Sequence, residues 1–258
     1  MKSLKTNNFG SVRQPDSFEE LLELIINCQL DECGFRTRMW RGQGNIDWLV
    51  HSSAYRRILP TNESSMVRYE LGLLENATHK GYRILDGREL CDLELLARLQ
   101  HHGAATRLVD TSRNALVALW FCCISQPRKT GAFIGVHTHH LGGFEGTPDT
   151  RPYKEIVNEL EEYDYPFTWE PPAVTGRIAA QHSQFLYSSV KDTPYGSLVL
   201  PIEEDATWII AITHELKSSS IEILREAFDI RQLTLFPDLD GFCQTNSYNY
   251  SQYHNERW

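Results

Sequence analysis

The stretch from Glu94 to Phe121 constrains the fold most, because it places a dense group of polar residues between two strongly apolar runs. The first run has leucines at helical spacing and is followed by Gly103, a residue typical of helix C-termini. The second run extends from Ala115 to Cys123, and three polar residues ahead of it can cap a helix: Asp110, Thr111 and Ser112. Polar groups between buried helices are either held in a network or used as a site, so this link is a candidate for both.

The rest of the chain alternates between helical and strand periods. Helices are predicted at 18–28, 64–81 and 215–228, and strands at 35–40, 132–138, 197–200 and 207–213, with a further strand beginning at 185–187. Residues 141–150, with three Gly and a Pro, are predicted to form a loop. The 258 residues suffice for one large domain or two small ones, and no repeat or linker divides them.

The charges point to a small anionic ligand. A net charge of −9 argues against a broad nucleic-acid-binding surface. Residues 36–57, however, hold five Arg against the single acid Asp47, and such a local cationic site suits a ligand such as a nucleotide pyrophosphate. Residues 155–170 hold six acids and no basic residue, so this surface can equally hold a cationic partner.

The N-terminus and the cysteines are typical of an intracellular protein. The first residues lack the apolar core of a signal peptide, and no run reaches the roughly 18 apolar residues of a membrane helix. We therefore expect a cytoplasmic protein without a membrane partner, whose six Cys are buried free thiols. The cysteine spacings do not fit a metal site, and His137, His139 and His140 have no carboxylates or thiols nearby, so no metal is predicted.

Two further segments concentrate polar residues beside apolar ones. Arg41 ends a predicted strand and precedes Gly42, which places a bidentate cation beside backbone that can approach a ligand closely. A surface Arg before a turn is an alternative interpretation. Arg177 and Gln181 are four residues apart and share one face if their segment is helical.

Three separated motifs occur in one order, Trp40-Arg-Gly-Gln43, Gln100 to Thr111 and Arg177 to Phe185, with Leu-Phe-Pro-Asp-Leu-Asp-Gly near the end. Together they resemble the FRG domain, a bacterial and phage family named for a Phe-Arg-Gly signature. Three positions depart from the family pattern: Trp40, Thr111 and Ser183. The resemblance divides the chain into an N-terminal extension (1–15), an FRG domain (16–242) and a polar C-terminal tail (243–258).

The order of these motifs is similar to that of ADP-ribosyltransferases. This resemblance implies NAD as co-substrate and the fold of that superfamily, a single α+β domain whose mixed or antiparallel sheet is flanked by helices. In that superfamily an Arg or His of the first strand holds the nucleotide, a Ser/Thr segment supports the nicotinamide side, and a late Glu or Gln contacts the ribose. Carried over, Arg41 takes the nucleotide role and Gln181 the ribose role. Thr106, or Thr111 with Ser112, takes the supporting role.

A Gln cannot accept a proton as a carboxylate does, so another group must activate the acceptor, with His101, His102 and Asp110 as candidates. Structural alternatives are satisfied histidines at a helix end, and an ion pair between Arg107 and Asp110 that fixes the link. The candidate catalytic residues are Arg41, Gln181, His102 and Asp110. The candidate nucleotide-binding residues are Arg41, Gly42, Gln43, Arg56, His101, Thr106, Arg107, Thr111 and Arg177.

The implied function is an NAD-dependent ADP-ribosyltransferase that modifies a macromolecule, RNA, DNA or protein, as a bacterial or prophage toxin or an anti-phage effector. An antitoxin or other regulatory protein is then an expected partner. The alternative is a nucleotide-sensing or partner-binding module without turnover, since Gln181 stands at the expected Glu position. A metal-dependent nuclease is disfavoured, because no spaced carboxylate cluster accompanies the histidines.

Overall fold

The computed structural model describes residues 2–27, 37–144, 146, 149–172, 175–191, 196–201 and 206–246. Its strands are β1 (Lys2–Thr6), β2 (Gly10–Gln14), β3 (Thr37–Gln43), β4 (Ile84–Leu85), β5 (Arg88–Glu89), β6 (Val109–Ser112), β7 (Gly131–His137), β8 (Gly142–Phe144), β9 (Phe167–Trp169), β10 (Ser183–Tyr187) and β11 (Thr207–Ile212). Its helices are α1 (Phe18–Asn27), α2 (Ser53–Ile58), α3 (Glu63–His79), α4 (Asp92–His101), α5 (Ala115–Ile124), α6 (Tyr153–Glu162), α7 (Gly176–Ala180), α8 (His214–Phe228), α9 (Gln232–Leu235) and α10 (Leu239–Thr245).

Most of these strands form one sheet, in the order β1-β2-β11-β7-β3-β6-β10-β9-β8, while β4 and β5 pair separately. β2 and β11 are parallel, as are β8 and β9, and the other neighbours in the sheet are antiparallel. Strand β7 is buried along its whole length, as expected for an apolar strand between two others. The predicted combination of a large mixed sheet with flanking helices is confirmed.

Helix α5 packs directly on the sheet, and a glycine of β3 makes this contact possible. A Cβ atom added at Gly42 would lie 2.0 Å from the carbonyl oxygen of Ala118 in α5. On the same face, Trp40 stacks on Phe133 with ring centroids 4.9 Å apart. Both rings belong to the core that α5 shares with α1 and α8.

The two helices around the polar link begin and end for local reasons. Helix α4 stops where predicted, because the residue after its C-cap, Gly103, has a φ of 93°. Helix α5 is capped by Asn114, whose side-chain oxygen accepts from the N–H of Leu116 at 3.0 Å. The predicted cap at 110–112 is therefore wrong, and Ser112 instead accepts from the N–H of Asn114.

Other predictions need correction or extension. Residues 197–200 form no strand; they follow an isolated bridge between Val50 and Gly196, and their leucines are buried without strand pairing. The predicted loop at 141–150 contains β8, because its glycines lie close to β9. The predicted extension at 1–15 includes the β1–β2 hairpin at the sheet edge. Predictions for residues 28–36 and 247–258 fall outside the described residues.

Lys217 joins α8 to the end of β3 although its side chain is buried. Its Nζ donates to the carbonyl oxygens of Gly44 at 2.8 Å, Ser125 at 3.0 Å and Gln126 at 3.2 Å. Burial lowers the pKa of the Lys217 amine. The three bonds connect α8 to the backbone just after the ends of β3 and α5.

Within the described part of the chain, no helix is long and apolar enough to span a membrane.

Candidate functional site

The main cavity opens where the sheet splits between β3 and β6. Strand β3 pairs with β7 as far as Gln43, but it pairs with β6 only where Trp40 faces Ser112. Beyond this pair the strands separate, so residues 41–44 and 110–111 line opposite edges of one cleft. The cavity has a volume of about 830 Å³, which is within the range of about 300–1,000 Å³ for small-molecule sites.

The alternation of side chains along β3 gives the cavity two different walls. Trp40 and Gly42 face α5, where Phe121 adds an aromatic ring to the lining. Successive residues of a strand point to opposite faces, so Arg41 and Gln43 lie on the other side of the sheet. One wall is therefore mainly apolar, and the other is polar and cationic.

Arg41 is oriented by neutral acceptors. Its Nη1 donates to the carbonyl oxygen of Asp110 at 2.7 Å, and its Nε donates to Oε1 of Gln43 at 3.3 Å. Gln43 is itself buried, and its Nε2 donates to the carbonyl oxygen of Trp48 at 3.2 Å. Among the described residues, no carboxylate side chain forms an ion pair with Arg41.

The electrostatics of Arg41 favour an anionic ligand. Desolvation by burial lowers its pKa, and the charge of Asp110 opposes that shift. The guanidinium nevertheless stays protonated at neutral pH, because the ordinary pKa of Arg is above about 12. A partly desolvated cation that forms no direct ion pair among the described residues gains more from an incoming anion than a solvated one does.

A second cation and an exposed aromatic ring lie at the mouth of the cavity. Arg56, on α2, lines the cavity and is exposed, and Trp48 keeps 44% of its surface exposed. The ring of His51 stacks on Tyr55 with centroids 4.6 Å apart and an interplanar angle of 15°. Burial and then the nearby Arg56 lower the pKa of His51, so its imidazole is neutral at pH 7.

Gln181 lies on the apolar wall, where it ends α7. Its Nε2 donates to the carbonyl oxygen of Leu235 at 3.0 Å, and the hydroxyl of Ser112 donates to its backbone oxygen at 2.7 Å. Phe236 lines the cavity beside it. In the described part of the molecule Oε1 of Gln181 accepts no hydrogen bond, so it is available to a ligand hydroxyl.

Asp238 fastens the C-terminal helices to this wall. Its carboxylate forms an ion pair with Arg177, at 2.7 Å from Nη2 to Oδ1, and its Oδ2 lies 3.3 Å from Nε2 of His101. It also accepts from the N–H of Gly241 at 2.8 Å and so caps α10. Its bonds to Arg177 first, and then to Gly241, lower the pKa of Asp238. Since Nδ1 of His101 lies 3.5 Å from the Thr175 hydroxyl, both ring nitrogens are engaged.

The link between α4 and β6 contains exposed and buried polar residues. Asp110 is exposed, and its Oδ1 accepts from Nε2 of Gln100 at 2.7 Å. Thr111 is buried and donates to the carbonyl oxygen of Gln184 at 2.7 Å. Thr106 is fully buried and donates to Oε1 of Gln100. Asp110 therefore presents a carboxylate to the cavity, whereas the two threonines hold the surrounding structure together.

Arg107 belongs to a buried cluster outside the cavity lining. Its Nε lies 2.7 Å from Oε2 of Glu70, and its Nη1 lies 2.7 Å from Oε1 of Glu63. The hydroxyl of Tyr153 also donates to Glu70. The ion pair considered between Arg107 and Asp110 is not formed, because the two carboxylates of α3 reach Arg107 in the core.

Most of the predicted site residues lie together. Those that line the cavity are Arg41, Gly42, Gln43, Arg56, His101, Asp110, Thr111, Arg177 and Gln181. Those outside the lining are the exposed His102 and the buried Thr106 and Arg107. Trp48 and Phe121 also line the cavity and were not predicted from the sequence. The role of the motif that contains Phe236 and Asp238 was not predicted either. An aromatic residue and an acid inside a short Pro-containing segment were the available signal for that motif.

Residues 36–131 of the chain match the family model of the FRG domain. The matched segment contains β3, β6 and α5, and therefore both edges of the cleft and Arg41. Gln181 and Asp238 lie beyond it. No curated protein and no solved structure was found to match the chain. Among the described residues, no three His, Cys, Asp or Glu side chains are close enough together to hold a metal ion.

Proposed function

We propose, on the premise that the chain carries an FRG domain at residues 36–131, that it is an NAD-dependent ADP-ribosyltransferase acting on a macromolecule. The proposal rests mainly on the location of Arg41 and on its hydrogen-bond partners. This cation lies at the split of the sheet, is held by neutral acceptors, and has no carboxylate partner among the described residues. Such a site favours the pyrophosphate of a dinucleotide, whose paired oxygens match the fork of a guanidinium.

The apolar wall suits the reacting end of NAD. Phe121 and Phe236, both half-buried, provide aromatic surface for the nicotinamide ring, and among the described residues Oε1 of Gln181 has no donor, which leaves it for a ribose hydroxyl. A fold like that of the ADP-ribosyltransferases is part of the same proposal. It is supported by a cleft between splayed strands that is lined by the three polar motifs.

In the proposed reaction, the bond between nicotinamide and C1′ of its ribose breaks, and the electron pair leaves with nicotinamide. Positive charge develops on the ribose, so the site must orient the substrate and stabilise that charge more than supply a strong base. The acceptor nucleophile then forms a bond to C1′ and loses a proton. Asp110 takes this proton, because it is exposed in the cavity whereas both nitrogens of His101 are already engaged.

A second candidate is a nucleotide-binding module without turnover. It is favoured by Gln181, which cannot act as a carboxylate, and by the bond that commits its amide nitrogen to Leu235. In either case a toxin or phage-defence role, with an antitoxin or another regulatory protein as partner, remains part of the proposal.

The direct test is incubation of the folded protein with NAD labelled in its adenylate phosphate, with and without cell extract. Transfer of label to a macromolecule together with release of nicotinamide is expected. Nicotinamide release with free ADP-ribose as the sole product would show cleavage without an acceptor. Calorimetric binding of NAD without cleavage would select the non-catalytic module, and absence of both binding and cleavage would refute both candidates.

A further inference from the structure

Trp48 is held at the mouth of the cavity by its backbone and not by burial of its ring. Its carbonyl oxygen accepts from Nε2 of Gln43 at 3.2 Å, and its N–H donates to the carbonyl oxygen of Asn45 at 3.2 Å. The preceding residue, Asp47, is fixed in turn, since its carbonyl oxygen accepts from Nδ2 of Asn8 at 2.7 Å. The backbone of Trp48 is therefore fixed beside the cavity while 44% of the residue stays exposed.

The surroundings of Trp48 are polar and cationic. Arg56 is exposed at the same mouth, and among the described residues no carboxylate pairs with it. His51 is fixed by its stacking on Tyr55 and by Nδ1, which accepts from the N–H of Ser197 at 3.0 Å. A neutral imidazole whose Nδ1 accepts carries its proton on Nε2, so His51 offers a hydrogen-bond donor.

We propose that Trp48, His51 and Arg56 form a subsite for a nucleobase that carries a phosphate. The base stacks on the exposed indole face, and the guanidinium of Arg56 binds the phosphate. This inference rests on the proposed function in one respect, that the cavity binds a nucleotide. The base belongs to one of two ligands: the adenylate half of the dinucleotide, or a nucleotide of a single-stranded acceptor.

The chemistry of the mouth favours this ligand over an apolar peptide. A groove that binds an apolar helix or strand offers a continuous apolar surface, whereas Trp48 has the polar neighbours Asn8, Asp47 and His51 in the lining. A single exposed ring beside a cation is the combination that sequence-tolerant nucleotide sites use. The net charge of −9 also disfavours a long polyanion, so the contact is limited to one or a few nucleotides.

The test is a calorimetric titration of 5′-AMP, and separately of a short single-stranded oligonucleotide, into the protein and its Trp48→Ala and Arg56→Gln variants. Trp48→Ala is expected to weaken binding of at least one ligand by roughly ten- to one-hundred-fold, the loss typical of one stacked base. Arg56→Gln is expected to weaken it by a smaller factor and to reduce its salt dependence. Tyr82→Ala and Arg57→Gln are matched controls, because Tyr82 is an exposed aromatic residue and Arg57 an exposed cation, both outside the lining.

The titrations of AMP and of the oligonucleotide distinguish the two ligands to which the base can belong. Loss of AMP affinity assigns the subsite to the dinucleotide, and loss confined to the oligonucleotide assigns it to the acceptor. Unchanged affinities in Trp48→Ala, or no binding of either ligand to the unaltered protein, would overturn the inference. This outcome is distinct from failure of the proposed function, because NAD cleavage is measured separately and these titrations need no turnover.

Discussion

Arg41 is half-buried and Arg107 is buried, and their surroundings also differ in charge. Arg107 is 3% exposed and is bonded to the carboxylates of Glu63 and Glu70. Arg41 is bonded to a backbone carbonyl and to a side-chain amide. A guanidinium that is neutralised by two carboxylates has little attraction left for a ligand, whereas one held by neutral dipoles keeps its full charge. On the proposed function, the partners of each arginine distinguish the structural cation, Arg107, from the binding cation, Arg41.

The largest expected effect is on stability, at Arg107. The Arg107→Ala substitution leaves Glu63 and Glu70 buried without their cation, which typically costs about 3–5 kcal/mol. The free energy of unfolding in urea measures this loss. Arg113→Ala is the control, because Arg113 pairs with Glu170 at 3.1 Å but is 37% exposed, and such a pair contributes about 0–1 kcal/mol. Equal losses for the two variants would mean that the buried cluster has no special structural role.

The second largest effect is a loss of stability at Gly42, the neighbour of Arg41 in the chain. In Gly42→Ala the new Cβ would lie 2.0 Å from the carbonyl oxygen of Ala118 and 2.5 Å from the backbone nitrogen of Cys122. Because backbone atoms cannot move aside easily, we expect a loss of about 1–3 kcal/mol or more. Gly72→Ala is the control: nothing lies within 4 Å of its added Cβ, and Ala in a helix is favoured by about 1 kcal/mol. A stable Gly42→Ala variant that fails to bind NAD would instead show that Gly42 contacts the ligand.

A smaller effect is expected at Gln181, chiefly on the reaction, since the variant also loses the single hydrogen bond to the carbonyl oxygen of Leu235. Gln181→Ala removes one hydrogen bond to the ribose, worth about 1–1.5 kcal/mol, so nicotinamide release should slow about tenfold. Gln244→Ala, a change at an exposed position outside the cavity lining, should leave the rate unchanged. An unaltered rate in Gln181→Ala would remove Gln181 from the proposed ribose contact.

The smallest effect concerns pH and the bonds of Asp238. Its pKa in the folded protein is lowered, chiefly by Arg177, so its contribution to stability is present above its unfolded pKa of about 4 and is lost as pH falls further. Asp238→Asn keeps the helix cap but removes the charge. The difference in unfolding free energy between the two proteins should shrink as pH falls below about 4. Because Asp238 is partly exposed, this difference should be under about 1 kcal/mol. A difference that does not change with pH would contradict the assignment.

Local sequence signals predicted much of the fold. The apolar pattern of the sequence predicted helix α4 and strand β7. Gly103 predicted the end of α4, where it takes a positive φ. The strand predicted at 197–200 was wrong because buried leucines need not pair with a neighbouring strand. The two leucines of this segment are buried against residues distant in sequence, such as Val50. The local apolar pattern carries no information about such distant contacts.

The site was predictable where its residues follow one another in a motif and unpredictable where they meet only in the fold. Arg41, Gly42 and Gln43, which stand together in one motif, line the same cavity, and their predicted nucleotide-binding role stays a prediction. The carboxylates that neutralise Arg107 come from 37 and 44 residues away, and nothing local to Arg107 indicates them. Trp48 was missed because a ring in an apolar run is expected to be buried, and its exposure depends on the tertiary placement of its loop.

The affinity of NAD for the Arg41→Ala variant, measured by calorimetry beside the unaltered protein, tests the central claim most directly. If Arg41 is a binding cation, NAD should bind about 10- to 150-fold more weakly, since hydrogen bonds to a charged group contribute about 1.5–3 kcal/mol. The loss of its two hydrogen bonds should lower stability by about 1–2 kcal/mol, less than the loss expected at Arg107. Undiminished NAD affinity, or an unfolded variant, would place Arg41 with Arg107 among the structural arginines and contradict the account.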